Sequence, residues 1–368
     1  MSRYCFFTER QVGIGSAAAA VEPYLRENPE VTWVDVTYTR EGGWLERLPR
    51  NLTQRLGRAT GTLRGVLQTR EGLQQGPYDA LFFLTHNPAV FRQLTLRRVP
   101  SVLWTDVTPA LLDQQAEQYA HPVDKSALAR VVKDTLVQST FRSAALCVGW
   151  SEWARRSFVT DYGVPEQCTE VVPPGVDLLR FTARATTINS DALPRLLFVG
   201  GDFARKGGDL LLEVFRESLQ GKAELDIVTR DPVPNTPGVR VHHGLNAKSP
   251  ELLALYRNAA AFVLPTRGDC YSIASLEAMA MGLPVIVTDV GGISDIVERE
   301  RSGFLIQPND ARDLRTALEA VLVSAERRRA LGQRGREIVE QRFDARKTAD
   351  RLLELVRSAP ERRARRGH

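Results

Sequence analysis

The stretch Leu264–Gly292 reads LPTRGDCYSIASLEAMAMGLPVIVTDVGG. An apolar run ends at Leu264, a polar turn with Gly268 follows, and small and apolar residues lead through Glu277 to Gly282, so the order is strand, loop, helix, strand. Gly282 and Pro284 stop the helix in the usual sense, glycine just past its end and proline shortly beyond. The next strand, Pro284 to Val287, is apolar on both faces, as in a parallel strand covered by helices. Ligands gather at the carboxyl ends of such strands, which places the loop from Thr266 to Ile273 in a binding crevice.

The chemistry of that loop follows from its residue types. The backbone amides of Ser272 to Ser275 open the helix with unpaired donors at the positive end of its dipole, an arrangement that favours phosphate. Asp269 and Glu277, with seven residues between them, put one carboxylate before the helix and another inside it, where both can accept hydrogen bonds from sugar or ribose hydroxyls.

The stretch resembles the retaining glycosyltransferases of GT-B fold, the family-four (glycosyltransferase group 1) type. Their signature, an acidic residue, seven residues that usually include Phe-Gly-Leu, and a glutamate that opens Glu-Ala-Met-Ala-x-Gly-x-Pro-Val, stands here as Asp269, Tyr271-Ser272-Ile273 and Glu277-Ala278-Met279-Ala280-Met281-Gly282-Leu283-Pro284-Val285. Asp269 replaces the usual first glutamate and Ser272 the usual glycine.

With 368 residues, 43% hydrophobic and 25% charged, the chain is long enough for two domains with their own cores. No run approaches a membrane span, and the opening residues lack the apolar core of a signal peptide, so a cytoplasmic protein is expected. The four cysteines, Cys5, Cys147, Cys168 and Cys270, have no metal-ligand spacing and imply neither a zinc site nor a disulfide framework. A net charge of +5 favours anionic partners, yet no nucleic-acid module motif is present.

In the first half, Tyr4 to Thr8 reads as a strand, and Gly13 and Gly15 form a glycine loop into an alanine-rich helix. In the family a loop here approaches the donor phosphate or the acceptor. Residues 44–73 are a basic amphipathic stretch with two readings: a helix packed on its own domain, or a peripheral contact with an anionic membrane at its inner face. The strand Asp79 to Leu84 delivers Thr85-His86-Asn87-Pro88, and the strand Val99 to Trp104 delivers Asp106 to the same edge. The resemblance makes His86 and Asp106 acceptor-side residues. The segment TEVVPPGVDLLRF resembles the family's crossing into a second domain, with Gly175, Val176 and Asp177 matching.

Domain bounds follow: 1–180 for an acceptor-side Rossmann-like domain, 181–193 for a linker, 194–345 for a nucleotide-sugar donor domain, and 346–368 for a C-terminal helix and basic tail. The end of the chain is read as helical from about Ser324 through Val356. Arg195 to Val199 opens the second sheet, and Lys206 matches the family's phosphate-binding lysine. The family's arginine, five or six positions earlier, is replaced by Gly200 or Gly201, with Arg205 the nearest second cation. The fold expected is α/β, GT-B, with two doubly wound parallel-sheet domains facing a cleft.

The function implied is metal-independent transfer of a hexose, with retention, from a nucleotide-diphosphate sugar to a hydroxyl acceptor on a glycan, lipid or small molecule. His86, Asp269 and Lys206 are the catalytic set, and Gly13, Gly15, Arg205, Lys206, Asp269, Tyr271, Ser272, Ile273 and Glu277 the donor set. The nucleotide sugar is substrate and no cofactor is implied. A non-catalytic nucleotide-sugar binding protein and a GT-B phosphorylase or epimerase are the alternatives.

Overall fold

The computed structural model describes residues 3–9, 13–38, 57–120, 126–183 and 193–366 of the chain. Part of the basic stretch 44–73, before Gly57, and most of the linker 181–193 lie outside the described residues. The chain forms two compact units.

The N-terminal unit holds a six-stranded sheet in the order β2-β1-β3-β4-β5-β6. The strands are β1 Tyr4–Glu9, β2 Val31–Val36, β3 Ala80–Leu84, β4 Ser101–Thr105, β5 Leu146–Gly149 and β6 Thr169–Val171, all paired in parallel. Every residue of β1, β3, β4 and β5 is buried, which is why these strands are apolar runs rather than alternating ones. Phe7 stacks on Phe83 at 4.9 Å and Phe6 on Phe82 at 4.6 Å, tying β1 to β3 on both faces. The described part of the basic stretch is a helix, Gly57–Leu73. It packs on this unit: Gly65 lies against the Tyr38 ring, and Gly72 against Phe7 and Val34.

The C-terminal unit repeats the plan with the order β12-β11-β10-β7-β8-β9. Its strands are β7 Arg195–Val199, β8 Glu224–Val228, β9 Val239–His242, β10 Ala261–Leu264, β11 Val285–Thr288 and β12 Gly303–Ile306, again all parallel. Each sheet therefore has a point where the winding reverses, between β1 and β3 in one and between β7 and β10 in the other. The loops that leave the carboxyl ends of those strands diverge and leave a crevice. In the C-terminal unit these loops are 200–207 and 265–272.

One grouping differs from the sequence reading. The first domain was read through residue 180, but Leu112–His121 groups with the C-terminal unit. Tyr119 in this segment packs on Arg205 and Cys270. The helical end read from Ser324 to Val356 forms with one interruption, as Ala325–Arg342 and Ala345–Arg366. It breaks because Val176 pairs with the backbone there: the Val176 amide donates to the Phe343 carbonyl (2.8 Å) and the Ala345 amide to the Val176 carbonyl (3.1 Å). Asp344 Oδ1 then accepts the Arg346 amide at 2.9 Å and restarts the helix.

The residues read as a basic tail are helical to Arg366 and group with the N-terminal unit. Arg351 and Arg362 pair with Glu170, Arg357 pairs with Glu30 at 2.5 Å, and Arg363 donates to the carbonyls of Leu96, Arg97 and Ser143. Its arginines are bound to the fold they follow.

One glycine fixes the geometry of the second crevice. Gly207 has φ +74, and a Cβ there would stand 1.9 Å from the Pro265 carbonyl oxygen, so the β7 loop touches the end of β10 only through a bare Cα. Gly207→Ala is expected to cost about 3 kcal/mol or more through strain and overlap together. Thermal unfolding should show a loss on the order of 10 °C; an unchanged Tm would mean that this contact does not set the crevice.

Candidate active site

In the C-terminal unit the β10 loop is built to hold a charged side chain. The helix Ile273–Ala280 begins at Ser272, whose Oγ accepts the Ser275 amide at 3.2 Å and shares a hydrogen bond with Ser275 Oγ at 2.6 Å. The cap therefore takes one of the four amides expected to face phosphate, and Ser272, Ile273 and Ala274 carry the rest. Gly291, at φ +57, backs the loop: a Cβ there would lie 2.0 Å from the Asp269 carbonyl oxygen, and the Gly292 amide donates to the Cys270 carbonyl at 3.0 Å.

Across the crevice, the Lys206 ammonium pairs with the Asp269 carboxylate. Asp269 is 5% exposed, so its charge is compensated inside the protein rather than by solvent. Gly200 makes room for this lysine, since a Cβ there would be 2.9 Å from Lys206 Cβ. Arg205 is turned elsewhere. It donates to the Gly268 carbonyl at 2.8 Å, pairs with Asp202 at 3.3 Å and lies 4.4 Å above the Tyr119 ring. A different cation covers the glycine pair: Arg230 Nε donates to the Gly201 carbonyl at 3.2 Å, and its guanidinium lies 3.0 Å from where a Gly201 Cβ would be.

Glu277 stands on the helix that follows the loop and is 8% exposed. Tyr256 Oη donates to Glu277 Oε2 at 3.0 Å. Burial pushes the Glu277 carboxyl up to about 7, against the lowering effects of the Tyr256 hydrogen bond and the Arg180 charge. Tyr271 is buried beside the loop, with its hydroxyl pushed up by burial.

The donor-set glycines Gly13 and Gly15 and the expected acceptor-side residues His86 and Asp106 lie in the N-terminal unit. Gly13, at φ +88, precedes the helix Ile14–Leu25, and Gly15 lies within its first turn. His86 leaves β3 and packs its ring 5.4 Å from Phe141. Burial, with the Lys133 charge, lowers it to about 4, so the imidazole is neutral at physiological pH. Its Nδ1 is buried, with no hydrogen-bond partner among the described residues. Asp106 follows β4, and the Thr105 hydroxyl lies 3.4 Å from its carboxylate.

The sequence reading missed Glu9, the last residue of β1. It is fully buried; the Tyr38 hydroxyl (2.8 Å) and the Thr85 hydroxyl both donate to Oε1, while Oε2 has no partner among the described residues. Both donors sit in left-handed backbone, Tyr38 at φ 56 and Thr85 at φ 68, so β1, β2 and β3 all bend their ends toward one carboxyl. Burial raises its pKa. An acidic residue closing an apolar strand just before a glycine turn was the available signal.

Comparison with known proteins agrees with this architecture. Residues 193–324 match the family model of glycosyl transferases group 1. Sucrose-phosphate synthase from Thermosynechococcus elongatus superposes with a TM-score of 0.74 at 18% identity, over 97% of this chain and 99% of that one. Anabaena HepE in complex with UDP and glucose gives 0.70 at 16%, over 97% and 100%. At these identities the likeness is one of fold, and the fold is that of the GT-B glycosyltransferases. In sequence, the D-inositol 3-phosphate glycosyltransferase of Geodermatophilus obscurus is 33% identical over 57% of this chain and 51% of its own length. That of Saccharomonospora viridis is 30% identical over 54% and 52%. The chain spans about half the length of the curated relatives it matches. Within the C-terminal unit, residues 193–324 thus match glycosyl transferases group 1, and the fold is of GT-B type.

The Glu277 carboxyl gives a signed pH test. The folded protein keeps this proton up to about 7, whereas the unfolded chain releases it near the ordinary 4.5, so wild-type stability falls as pH rises through that window. Glu277→Gln removes the effect, and its stability relative to wild type should rise by as much as ~3 kcal/mol between those limits. Denaturant unfolding at a series of pH values measures it. A difference that does not vary with pH would show an ordinary carboxylate.

Proposed function

We propose that the protein is a retaining glycosyltransferase that moves a sugar from a nucleotide-diphosphate sugar to a hydroxyl acceptor. The observation that carries this reading is the Lys206–Asp269 pair, set where the winding of the donor-side sheet reverses, next to buried Glu277, and inside the segment that matches glycosyl transferases group 1. The name of HepE's ligand supports a uracil nucleotide, and the names of the curated relatives support a phosphorylated cyclic polyol as acceptor.

In this reading the pyrophosphate takes the Lys206 ammonium from Asp269, and the freed carboxylate turns to the hydroxyls of the donor sugar. Arg230, already over Gly201, adds the second positive charge, while the amides at the start of the helix Ile273–Ala280 face a phosphate oxygen. Together they stabilise the negative charge that grows on the leaving oxygen as the glycosidic bond breaks. Glu277, poised near neutrality, accepts from ribose hydroxyls, with Tyr256 holding the carboxylate in place.

The acceptor side is assigned to Glu9 and His86. His86 is neutral and accepts or donates a hydrogen bond without carrying charge, and Glu9 Oε2 takes a hydroxyl of the acceptor. The acceptor oxygen attacks the anomeric carbon on the face that the diphosphate leaves, and the departing phosphate oxygen receives the acceptor's proton. Retention follows from that shared face. Since Lys206, Arg230 and the helix amides neutralise the diphosphate, the reaction proceeds in this account without a divalent ion.

Lys206→Ala should lower kcat/KM for UDP-sugar consumption by at least about a hundredfold, the scale of one lost charge contact to a developing anion. It also leaves Asp269 buried without its partner, at a cost to stability on the order of 3 kcal/mol, so the assay is run well below the melting temperature of the variant. Near-normal turnover would remove Lys206 from the reaction. Product analysis with a panel of UDP, GDP and ADP sugars should give transfer with retained anomeric configuration at an EDTA-insensitive rate; binding with neither transfer nor donor hydrolysis would contradict an enzymatic role.

A further inference from the structure

The β10 loop has a partner far from it in sequence. Tyr119, in the segment Leu112–His121 that groups with the C-terminal unit, lies 151 residues from Cys270 and meets it twice. The Cys270 amide donates to Tyr119 Oη at 3.2 Å, and Oη shares a second hydrogen bond with Cys270 Sγ at 3.3 Å. The other face of the Tyr119 ring system carries the Arg205 guanidinium at 4.4 Å, and Arg205 in turn donates to the Gly268 carbonyl.

The segment is fitted closely to the loop. A Cβ at Gly268 would stand 2.7 Å from Gln118 Cβ and 3.1 Å from Gln115 Oε1, so residue 268 meets the segment only as a glycine. The Tyr119 amide donates to the Gln115 carbonyl at 3.1 Å and the Ala120 amide to the Glu117 carbonyl at 3.2 Å, which makes the segment a stiff turn rather than a drape. Asp269 lies between the two residues so clamped, Gly268 through Arg205 and Cys270 through Tyr119.

We infer that Tyr119 is a positioning residue for the donor: it fixes the backbone on both sides of Asp269 and so sets where the carboxylate meets the Lys206 ammonium and the donor sugar. This rests on the donor reading given above. Without the Tyr119 hydroxyl, the Cys270 amide loses its acceptor and the loop can open. The matched family segment, 193–324, does not contain the residue, so a donor site drawn from that segment alone is incomplete.

The test uses the full chain, with UDP and UDP-glucose as probes in calorimetric titrations, and iodoacetamide alkylation of Cys270 followed by peptide mass spectrometry. Tyr119→Phe keeps the ring beneath Arg205 and deletes the hydroxyl. It should raise the Cys270 alkylation rate and the Kd for UDP-glucose each by about tenfold, roughly one buried hydrogen bond's worth. UDP alone, gripped by Lys206, should shift less.

Tyr119→Leu, which also removes the stack, should exceed both effects, and Gly268→Ala should reproduce them from the opposite side. A lower Tm with UDP-glucose affinity unchanged would make Tyr119 a packing residue and overturn the inference. If wild-type protein bound neither probe, the donor reading and this role would both fall; alkylation would still report separately whether the hydroxyl holds the loop.

Discussion

A buried carboxylate needs a cation, and the C-terminal unit is arranged so that Asp269 finds one in Lys206. Neither residue can be moved alone. Lys206 is placed by the left-handed Gly207 against the end of β10 and by the bare Cα of Gly200; Asp269 is placed by Gly291 behind the loop and by Arg205 and Tyr119 on either side. The parallel register that sets β7 beside β10 brings the two loops together. In the proposed reaction a phosphate takes the lysine from this pair, and the charge of Asp269 is then met by hydrogen bonds from the donor sugar's hydroxyls.

The N-terminal unit uses the same topology for a different purpose. At its own reversal point the buried group is a carboxyl without a cation, Glu9, raised in pKa and held by two hydroxyls from strained backbone. Hydrogen-bonding groups of this kind suit hydroxyls, and in the proposed reaction this unit is the acceptor side.

Much of the fold could be read from the chain because continuous apolar runs bounded by glycine and proline mark parallel strands. Arg195–Val199 has the same limits in sequence and structure, and the strand after Pro284 is displaced by a single residue. Glu277 and the helix cap at Ser272 were legible because local spacing fixes them. What escaped depends on contacts that spacing does not encode. Lys206 and Asp269 are 63 residues apart, and nothing local says that they pair. Tyr119 lies 151 residues from the loop that it holds, and Arg205, read in the donor set, is held by Tyr119 and Gly268. The partners of the C-terminal arginines, Glu30 and Glu170, lie far upstream.

The most direct measurement is a crystal structure of the protein with UDP-glucose bound. The account expects the pyrophosphate within hydrogen-bond distance of Lys206 Nζ, Asp269 released from the lysine and turned to the glucose hydroxyls, and the ribose on Glu277. A nucleotide bound elsewhere, with the Lys206–Asp269 pair intact, would contradict it.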